Sequence, residues 1–140
     1  LWDYSPTWLQ KFADHDYHAA EVETSLIKYW TPEVVRDRIV MDDAEISESM
    51  RRSPDYFQHL TTMSHDHHEI PSTRQKDAVK VGVMGYPERH CVELGRRITD
   101  EIVANAVPAL KRAIAEAEEC RRSGKVNVQP SVEETKIMKL

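Results

Sequence analysis

A chain of 140 residues with 40% hydrophobic and 31% charged residues has the composition of one ordinary globular domain. Its formal net charge of −5 argues against general nucleic-acid binding, because a phosphate-binding surface needs a concentrated excess of Lys and Arg. No run approaches the roughly 20 apolar residues of a bilayer span and the first residues lack a signal pattern, so the sequence predicts a soluble, cytoplasmic protein without membrane contact.

The first residues are aromatic and lack a methionine or a polar leader. The chain begins Leu1-Trp2-Asp3-Tyr4, as if at the end of a buried strand. We expect a fragment, a processed chain or one half of a split protein, with an artefact of preparation as an equal alternative. Further on, Trp8, Leu9 and Phe12 fall at helical spacing and predict a short helix around 6–13.

The middle of the chain changes from a regular to an irregular pattern. Apolar periodicity predicts a helix over 19–30, which Thr31-Pro32 ends. Residues 41–78 lack periodicity and predict a long irregular loop that covers a site or contacts a partner. Within it, His65-Asp66-His67-His68-Glu69 could bind a metal, but adjacent ligands lack the spacing of a preorganised site, which favours a solvated loop.

The last part of the chain contains its strongest helical pattern. Residues 79–85, with Gly82 and Gly85, predict a strand edge or a turn where two backbones approach closely. An apolar stripe at helical spacing then predicts one helix over 88–122, kinked by Pro108 and ended by Ser123-Gly124. The tail over 125–140 is predicted to be extended, and either packs on a partner or frays.

The two cysteines, Cys91 and Cys120, lie 29 residues apart in this predicted helix. A straight helix would separate them by about 43 Å at ~1.5 Å per residue, far beyond the reach of a disulfide. Two free thiols agree with a reducing compartment.

The segment 16–25 carries the densest polar chemistry of the chain, with one imidazole, three carboxylates and two aliphatic hydroxyls. On an ideal helix, His18 and Glu23 would be about 140° away from facing each other, so they share a pocket only if His18 precedes the first turn. Pattern alone favours a capping or core histidine and a surface carboxylate over a catalytic pair.

Residues 1–4 read Leu-Trp-Asp-Tyr, 18–26 His-Ala-Ala-Glu-Val-Glu-Thr-Ser-Leu, 31–35 Thr-Pro-Glu-Val-Val, and 82–87 Gly-Val-Met-Gly-Tyr-Pro, followed by Glu-Leu-Gly-Arg-Arg at 93–97. These four motifs, in this order, resemble the creatininase family of metal-dependent amidohydrolases. Residues 18–26 resemble its His-[Ala/Gly]-Gly-x-x-Glu-Thr-Ser-Leu segment. Residues 1–4 are similar to a strand end carrying Trp-Asp, and 31–35 to a turn containing proline. Residues 82–87 and 93–97 resemble the Gly-Val-x-Gly-x-Pro segment and the start of the last helix. The resemblance covers 1–117 and corresponds to the C-terminal half of a family member.

This resemblance implies an α/β fold, the C-terminal half of a three-layer domain with a parallel sheet, helix-dominated in this chain and spanning 1–124. It also implies two divalent metal ions, zinc and/or manganese, whose bound hydroxide attacks the carbonyl of a cyclic amide. Carried over residue by residue, His18 is the catalytic candidate and Glu23 a metal ligand or a carboxylate that orients one. Trp2 and Tyr17 are substrate-binding candidates.

The sequence also departs from the family pattern. Ala20 stands where the family prefers glycine, and Tyr17 where creatininase itself has a glutamate, which argues against creatinine as substrate. The Glu-x-His-Gly segment, its following aspartate and the Asn-Gly-His segment, which supply most metal ligands, have no counterpart here. We therefore expect a second chain or fragment carrying the N-terminal half, a small-molecule substrate and a higher oligomer.

Two alternatives remain at this stage. The chain could be a non-catalytic structural subunit whose 41–78 segment and tail bind a partner. Within the family, the same chemistry could open a cyclic ketone or a lactone-like ring instead of an amide.

Overall fold

The computed structural model describes residues 2–36, 38, 44–53, 58–65, 68–77 and 81–124. Its helices and strands, in chain order, are α1 (Pro6–Ala13), α2 (Glu21–Trp30), α3 (Ala44–Arg52), β1 (Gln58–His65), β2 (His68–Gln75) and α4 (Val92–Ser123). Short 3-10 turns lie at Trp2–Tyr4, Pro32–Val34 and Pro87–Arg89. In the described part of the chain, no helix combines the length and apolar character needed to cross a membrane.

Helices α2 and α4 form the main core. Val22 and Leu26 of α2 pack against Leu94 and Ile98 of α4, and all four side chains are buried. Trp8 of α1 and Ile102 of α4 pack against this cluster. Full burial of one such aliphatic side chain stabilises a fold by about 1.5–3 kcal/mol, so this contact fixes α2 against α4.

The two helices approach closely at Gly95. A Cβ atom at this position would lie 2.1 Å from the Ser25 carbonyl oxygen. The Ser25 hydroxyl donates to the Glu21 carbonyl at 2.6 Å and accepts the Cys91 N–H at 3.0 Å. Cys91 is the N-cap residue of α4, so its hydrogen bond to Ser25 ties the start of α4 to α2.

A second long-range contact holds α1 on α4. The Glu101 carboxylate accepts the Thr7 N–H at 3.0 Å, the Thr7 hydroxyl at 2.6 Å and the Ser5 hydroxyl at 2.7 Å. Ser5 in turn accepts the Trp8 N–H at 2.9 Å as the N-cap of α1. Burial alone would raise the pKa of Glu101, but the hydrogen bonds from Thr7 and Ser5 bring it below its ordinary value.

The prediction of one irregular loop over 41–78 is wrong for the described residues of that segment. They contain α3 and an antiparallel hairpin, β1 with β2, whose register runs from Gln58 opposite Gln75 to His65 opposite His68. Pro71 lies within β2, a position that argues against a strand by sequence. The side chains of the 65–69 histidine cluster lie outside the described residues, as does the whole tail over 125–140, so their roles stay predictions.

Helix α3 is fixed by contacts to a distant turn, which explains why local pattern missed it. Arg51 donates from Nε to the Gly85 carbonyl at 2.8 Å and lies over the Tyr86 ring, 4.7 Å from its centroid. Arg89 stacks on the same ring at 3.8 Å. Arg51 also pairs with Glu88 at 3.1 Å.

The described residues are helix-dominated, as predicted, and their sheet is the two-stranded antiparallel ribbon. The parallel sheet and three-layer arrangement implied by the resemblance are not seen in this part of the chain. The predicted helices around 6–13 and 19–30 are confirmed. The long helix begins at Val92, later than predicted, continues across Pro108, and is followed by Gly124 in the left-handed conformation at φ 67°.

Candidate active site

The backbone of His18 is fixed just before α2. His18 and Met84 form an isolated antiparallel bridge: the His18 N–H donates to the Met84 carbonyl at 3.1 Å, and the Met84 N–H donates back at 2.8 Å. The Tyr17 N–H reaches the same Met84 oxygen at 2.8 Å. His18 therefore precedes the first helical turn, which is the condition under which it can share a pocket with Glu23.

The start of α2 is capped from a distance. Ala20 is its N-cap and has no side-chain acceptor, so the Asp16 carboxylate accepts the N–H groups of Glu21 at 2.9 Å and Val22 at 2.8 Å. Gly85 packs against this carboxylate so tightly that a Cβ atom there would lie 2.3 Å from Asp16 Oδ1. Gly85 has φ 146°, which confirms the predicted close-approach turn.

Asp16 is buried, and its surroundings shift the pKa of its carboxyl group. Burial raises the pKa of this carboxyl, while backbone N–H groups of Val22, Glu21 and Tyr86 act in the opposite direction without cancelling the effect. The nearby Glu21 charge raises it further. Glu21 is itself buried and pairs with Lys11 of α1 at 2.6 Å.

His18 and Glu23 lie side by side at the surface of one cleft. His18 Nδ1 is 3.7 Å from Glu23 Oε2, and the two side chains are 57% and 43% exposed. This distance is too long for a hydrogen bond and suits an ion pair once His18 carries a proton. Glu23 Oε2 also accepts the Ala19 N–H, so the third residue of α2 reaches back past the N-cap residue to the turn before the helix.

The cleft is an open cavity of about 640 Å³, the size of a small-molecule site. Its walls are largely apolar, formed by the side chains of Ile27, Val34, Val35, Val83 and Pro87. The polar side chains among the described residues that line it are His18, Glu23, Thr24, Arg36, Arg38 and His90. Apolar walls with a few converging polar groups are the usual composition of a ligand pocket.

Sequence reasoning missed His90, which lies across the cleft on the turn before α4. Its Nδ1 is 2.6 Å from the Pro87 carbonyl and its Nε2 is 3.1 Å from Lys28 Nζ. Because a carbonyl only accepts and an ammonium only donates, Nδ1 carries the proton and Nε2 accepts. The available signal was a histidine directly after the Pro87 turn, within a segment already linked to the family.

Trp2 and Tyr17, the two predicted substrate-binding residues, do not line this cleft. The Tyr17 hydroxyl is 2.8 Å from His15 Nδ1, and its ring packs edge-on against Phe12 at 5.0 Å. Trp2 lies on the first 3-10 turn and is 39% exposed. The chain thus brings together His18 and Glu23 but not the other two, whose substrate contacts stay predictions.

A metal ion needs more donors than this cleft offers. His18 and Glu23 could supply two, whereas His90 Nε2 is already occupied by Lys28. Among the described residues, no group of three or more His, Cys, Asp and Glu side chains is placed to hold a metal. Since protein zinc sites use three or four protein ligands, these residues alone do not fit a zinc or manganese site.

The family model for creatininase, described as creatinine amidohydrolase, matches residues 2–110. The chain belongs to the creatininase family. This membership confirms the resemblance drawn from the four motifs, and it places the chain among metal-dependent amidohydrolases that act on carbon–nitrogen bonds. No curated protein and no solved structure matches the chain.

The creatininase motif over 18–26 divides into two parts in space. His18 and Glu23 lie at the cleft, while Ser25 and Leu26 are fully enclosed in the contact between α2 and α4. The second part fixes the helix on which the first part depends. A motif of nine residues therefore specifies both a surface for chemistry and the packing that supports it.

Proposed function

We propose that this creatininase-family chain contributes His18 and its cleft to the hydrolysis of a cyclic amide. In this proposal a second chain, carrying the N-terminal half of the three-layer fold and its parallel sheet, supplies most ligands of two zinc or manganese ions. The supporting observation is the position of His18 beside Glu23 in a cleft sized for a small molecule.

His18 is suited to moving a proton in this site. Imidazole is the side chain that exchanges protons near neutral pH. Glu23, with Oε2 at 3.7 Å, can pair with the imidazolium after His18 accepts a proton. Nε2 is then the ring nitrogen left for a substrate, and it can donate the proton to the nitrogen that leaves the carbonyl carbon.

The first experiment replaces His18 in the complex with its partner chain. We expect His18→Asn to lower kcat by roughly 10²–10⁴, the usual contribution of a general acid or base, with assembly and metal content unchanged. His59→Asn, at an exposed position on β1, is the matched control. The substrate panel contains creatinine, an unrelated lactam, a lactone and a cyclic ketone, so that ring-opening alternatives are measured beside the amide.

The need for a partner chain is tested separately. Elemental analysis of the isolated folded chain should find fewer than two tightly bound zinc or manganese equivalents. Mass spectrometry and N-terminal sequencing of everything that copurifies with the chain should identify the N-terminal half. Two tight metal equivalents in the isolated chain would contradict this part of the proposal.

A non-catalytic structural subunit is the second candidate. It is supported by Glu23, which already serves the fold by accepting the Ala19 N–H. In that case the His18→Asn complex turns over substrate at the wild-type rate. Unchanged turnover with intact assembly would therefore favour a scaffold role.

We also propose that copies of this chain pair along α4. Four side chains spaced by 4, 3 and 4 residues form an exposed apolar seam, the α4 seam: Val103 (56% exposed), Val107 (39%), Leu110 (54%) and Ile114 (58%). This is the heptad spacing of a helix pair. Helix α4 also continues for its last 13 residues, 111–123, beyond the family match.

The α4 seam is complementary to itself in one antiparallel register. Val103 then faces Ile114 of the second copy, and Val107 faces Leu110. In the same register, Arg97 flanks the seam opposite Glu118 of the second copy, so opposite charges meet at both ends. The exposed alanines at 104 and 113 flank the pairing and allow close approach of the two helices.

A further inference from the structure

The described residues that line the cleft beside His18 carry more positive than negative charge, in a protein of net charge −5. Arg36 and Arg38 both line it, and Lys28 holds its ammonium 3.1 Å from His90 at the edge. Glu23 is the single carboxylate among the described lining residues. Positive charge is therefore concentrated at one place that also contains the candidate catalytic histidine.

Neither guanidinium in the cleft has a hydrogen-bond or ion-pair partner among the described residues. Some other described arginines pair with carboxylates, whereas exposed ones such as Arg112 and Arg121 do not, so what distinguishes Arg36 and Arg38 is that both line one cleft. Arg51 pairs with Glu88 at 3.1 Å, and Arg96 pairs with Asp100 at 3.1 Å. The fold thus leaves five N–H donors on each of Arg36 and Arg38 for something outside these residues.

We propose that the ligand of this cleft carries an oxyanion, a carboxylate or a phosphate, held by Arg36 and Arg38. The planar guanidinium fork matches both groups and binds them through two parallel charge-assisted hydrogen bonds. The apolar wall from Ile27 to Val34 holds the uncharged body of the ligand, with its reacting bond toward His18. This inference rests on the proposed function and narrows its substrate to an anionic amide.

The cleft composition favours an anion over a neutral or cationic ligand. A cation would meet the guanidiniums of Arg36 and Arg38 and the Lys28 ammonium, against one carboxylate among the described lining residues, and that carboxylate already accepts the Ala19 N–H. A neutral ligand would accept hydrogen bonds from the two exposed guanidiniums without the attraction of opposite charges. An oxyanion adds that attraction and matches the guanidinium fork without any rearrangement of the described helices.

The test is an NMR titration of the full chain with three ligands that share one ring: benzoate, phenylphosphonate and benzamide. The imidazole signals of His18 and His90 report occupancy of the cleft. We expect at least one anion to bind about tenfold or more tightly than benzamide, a ratio set by charge-assisted hydrogen bonds. The benzoate and phenylphosphonate arms separate a carboxylate site from a phosphate site.

Arg36→Gln and Arg38→Gln should each weaken the preferred anion about tenfold and leave benzamide unchanged. Arg112→Gln, with the same charge change on the exposed part of α4, should leave both affinities unchanged. Equal binding of benzamide and both anions would overturn the inference, as would an Arg112→Gln effect equal to that of Arg36→Gln. Rapid hydrolysis of a neutral cyclic amide, with no gain from an anionic group, would overturn this inference alone and leave the proposed function standing.

Discussion

Replacing Gly95 by alanine has two opposite effects on stability: it raises the helix propensity of α4, and it introduces a steric clash with α2. In an exposed helix interior, alanine is better than glycine by about 1 kcal/mol. At Gly95, however, the new Cβ would lie 2.1 Å from the Ser25 carbonyl oxygen and 2.9 Å from Tyr29 Cβ. The Ser25 oxygen belongs to the backbone of α2, so the clash is relieved only if the whole helix moves.

The cost follows from that movement. Ordinary contact begins near 3.4 Å, so α2 and α4 must separate by over 1 Å from the present 2.1 Å. Such overpacking costs about 1–3 kcal/mol, and loss of the Cys91–Ser25 hydrogen bond costs about 1 kcal/mol more. After the propensity gain is subtracted, we expect Gly95→Ala to lower the free energy of unfolding by about 1–3 kcal/mol.

Urea denaturation followed by circular dichroism at 222 nm measures this change. Ala113→Gly, at an exposed position of α4, calibrates the propensity effect and should cost about 1 kcal/mol. The opposite outcome for Gly95→Ala, a gain of about 1 kcal/mol, would show that α2 and α4 do not approach as closely as described. The reasoning about the motif would then be wrong.

Four further variants test the remaining contacts. Ala19 has φ 49°, so Ala19→Gly should raise the free energy of unfolding by about 1 kcal/mol in urea denaturation; no increase would argue against this conformation. Because the pKa of Glu101 is lowered in the folded state, its carboxylate stabilises the fold fully above its ordinary pKa of 4.5. This stabilisation is lost as pH falls through the lowered pKa. The excess of the free energy of unfolding of wild type over that of Glu101→Gln should therefore shrink in acid. Asp16 has a raised pKa, so its contribution has the opposite sign. The free energy of unfolding of wild type, minus that of Asp16→Asn, should fall as pH rises from 3.8 through the raised pKa of Asp16 in the folded state. Urea midpoints across this pH range check both signs. Leu110→Glu should shift sedimenting dimers to monomers, whereas Ala115→Glu beside the seam should not; equal dimerisation of both would refute pairing along α4.

The helices were predictable because their signals are local. Pro6 at the start of α1, the apolar spacing of α2 and Gly124 after α4 each act within a few residues of the element they define. The start of α4 was placed too early because Pro87–Arg89 forms a separate 3-10 turn. Such turns share the short-range pattern of a helix.

The segment over 41–78 was not predictable in the same way. Helix α3 depends on Arg51, whose partners Gly85 and Tyr86 lie more than 30 residues away along the chain. Hairpin β1–β2 contains Pro71 and mixed polar residues that hide the alternation of a strand. In α3 the local signal is limited to Ile46 and Met50 at helical spacing, to which Arg51 adds distant contacts, whereas β1 and β2 are defined by their pairing with each other.

In the candidate site, too, some residues could be found from local sequence and others only from the fold. His18 and Glu23 come together because one short motif contains both. His90, Arg36 and Arg38 reach the cleft from two separate turns, and no spacing in the sequence connects those turns. Family resemblance located the motif, whereas three-dimensional placement was needed to find the charges around it.

The capping arrangement of α2 explains why His18 is the residue to test first. A histidine before a helix is often a cap or a core residue, and either role would explain its presence without chemistry. Here Asp16 supplies the cap for the Glu21 and Val22 N–H groups, and Glu23 accepts the Ala19 N–H. The His18 side chain is 57% exposed and, among the described residues, its one ion-pair contact is with the Glu23 carboxylate at 3.7 Å. Since the fold does not depend on this imidazole, its removal changes the chemistry of the cleft while the helix that frames the cleft stays in place.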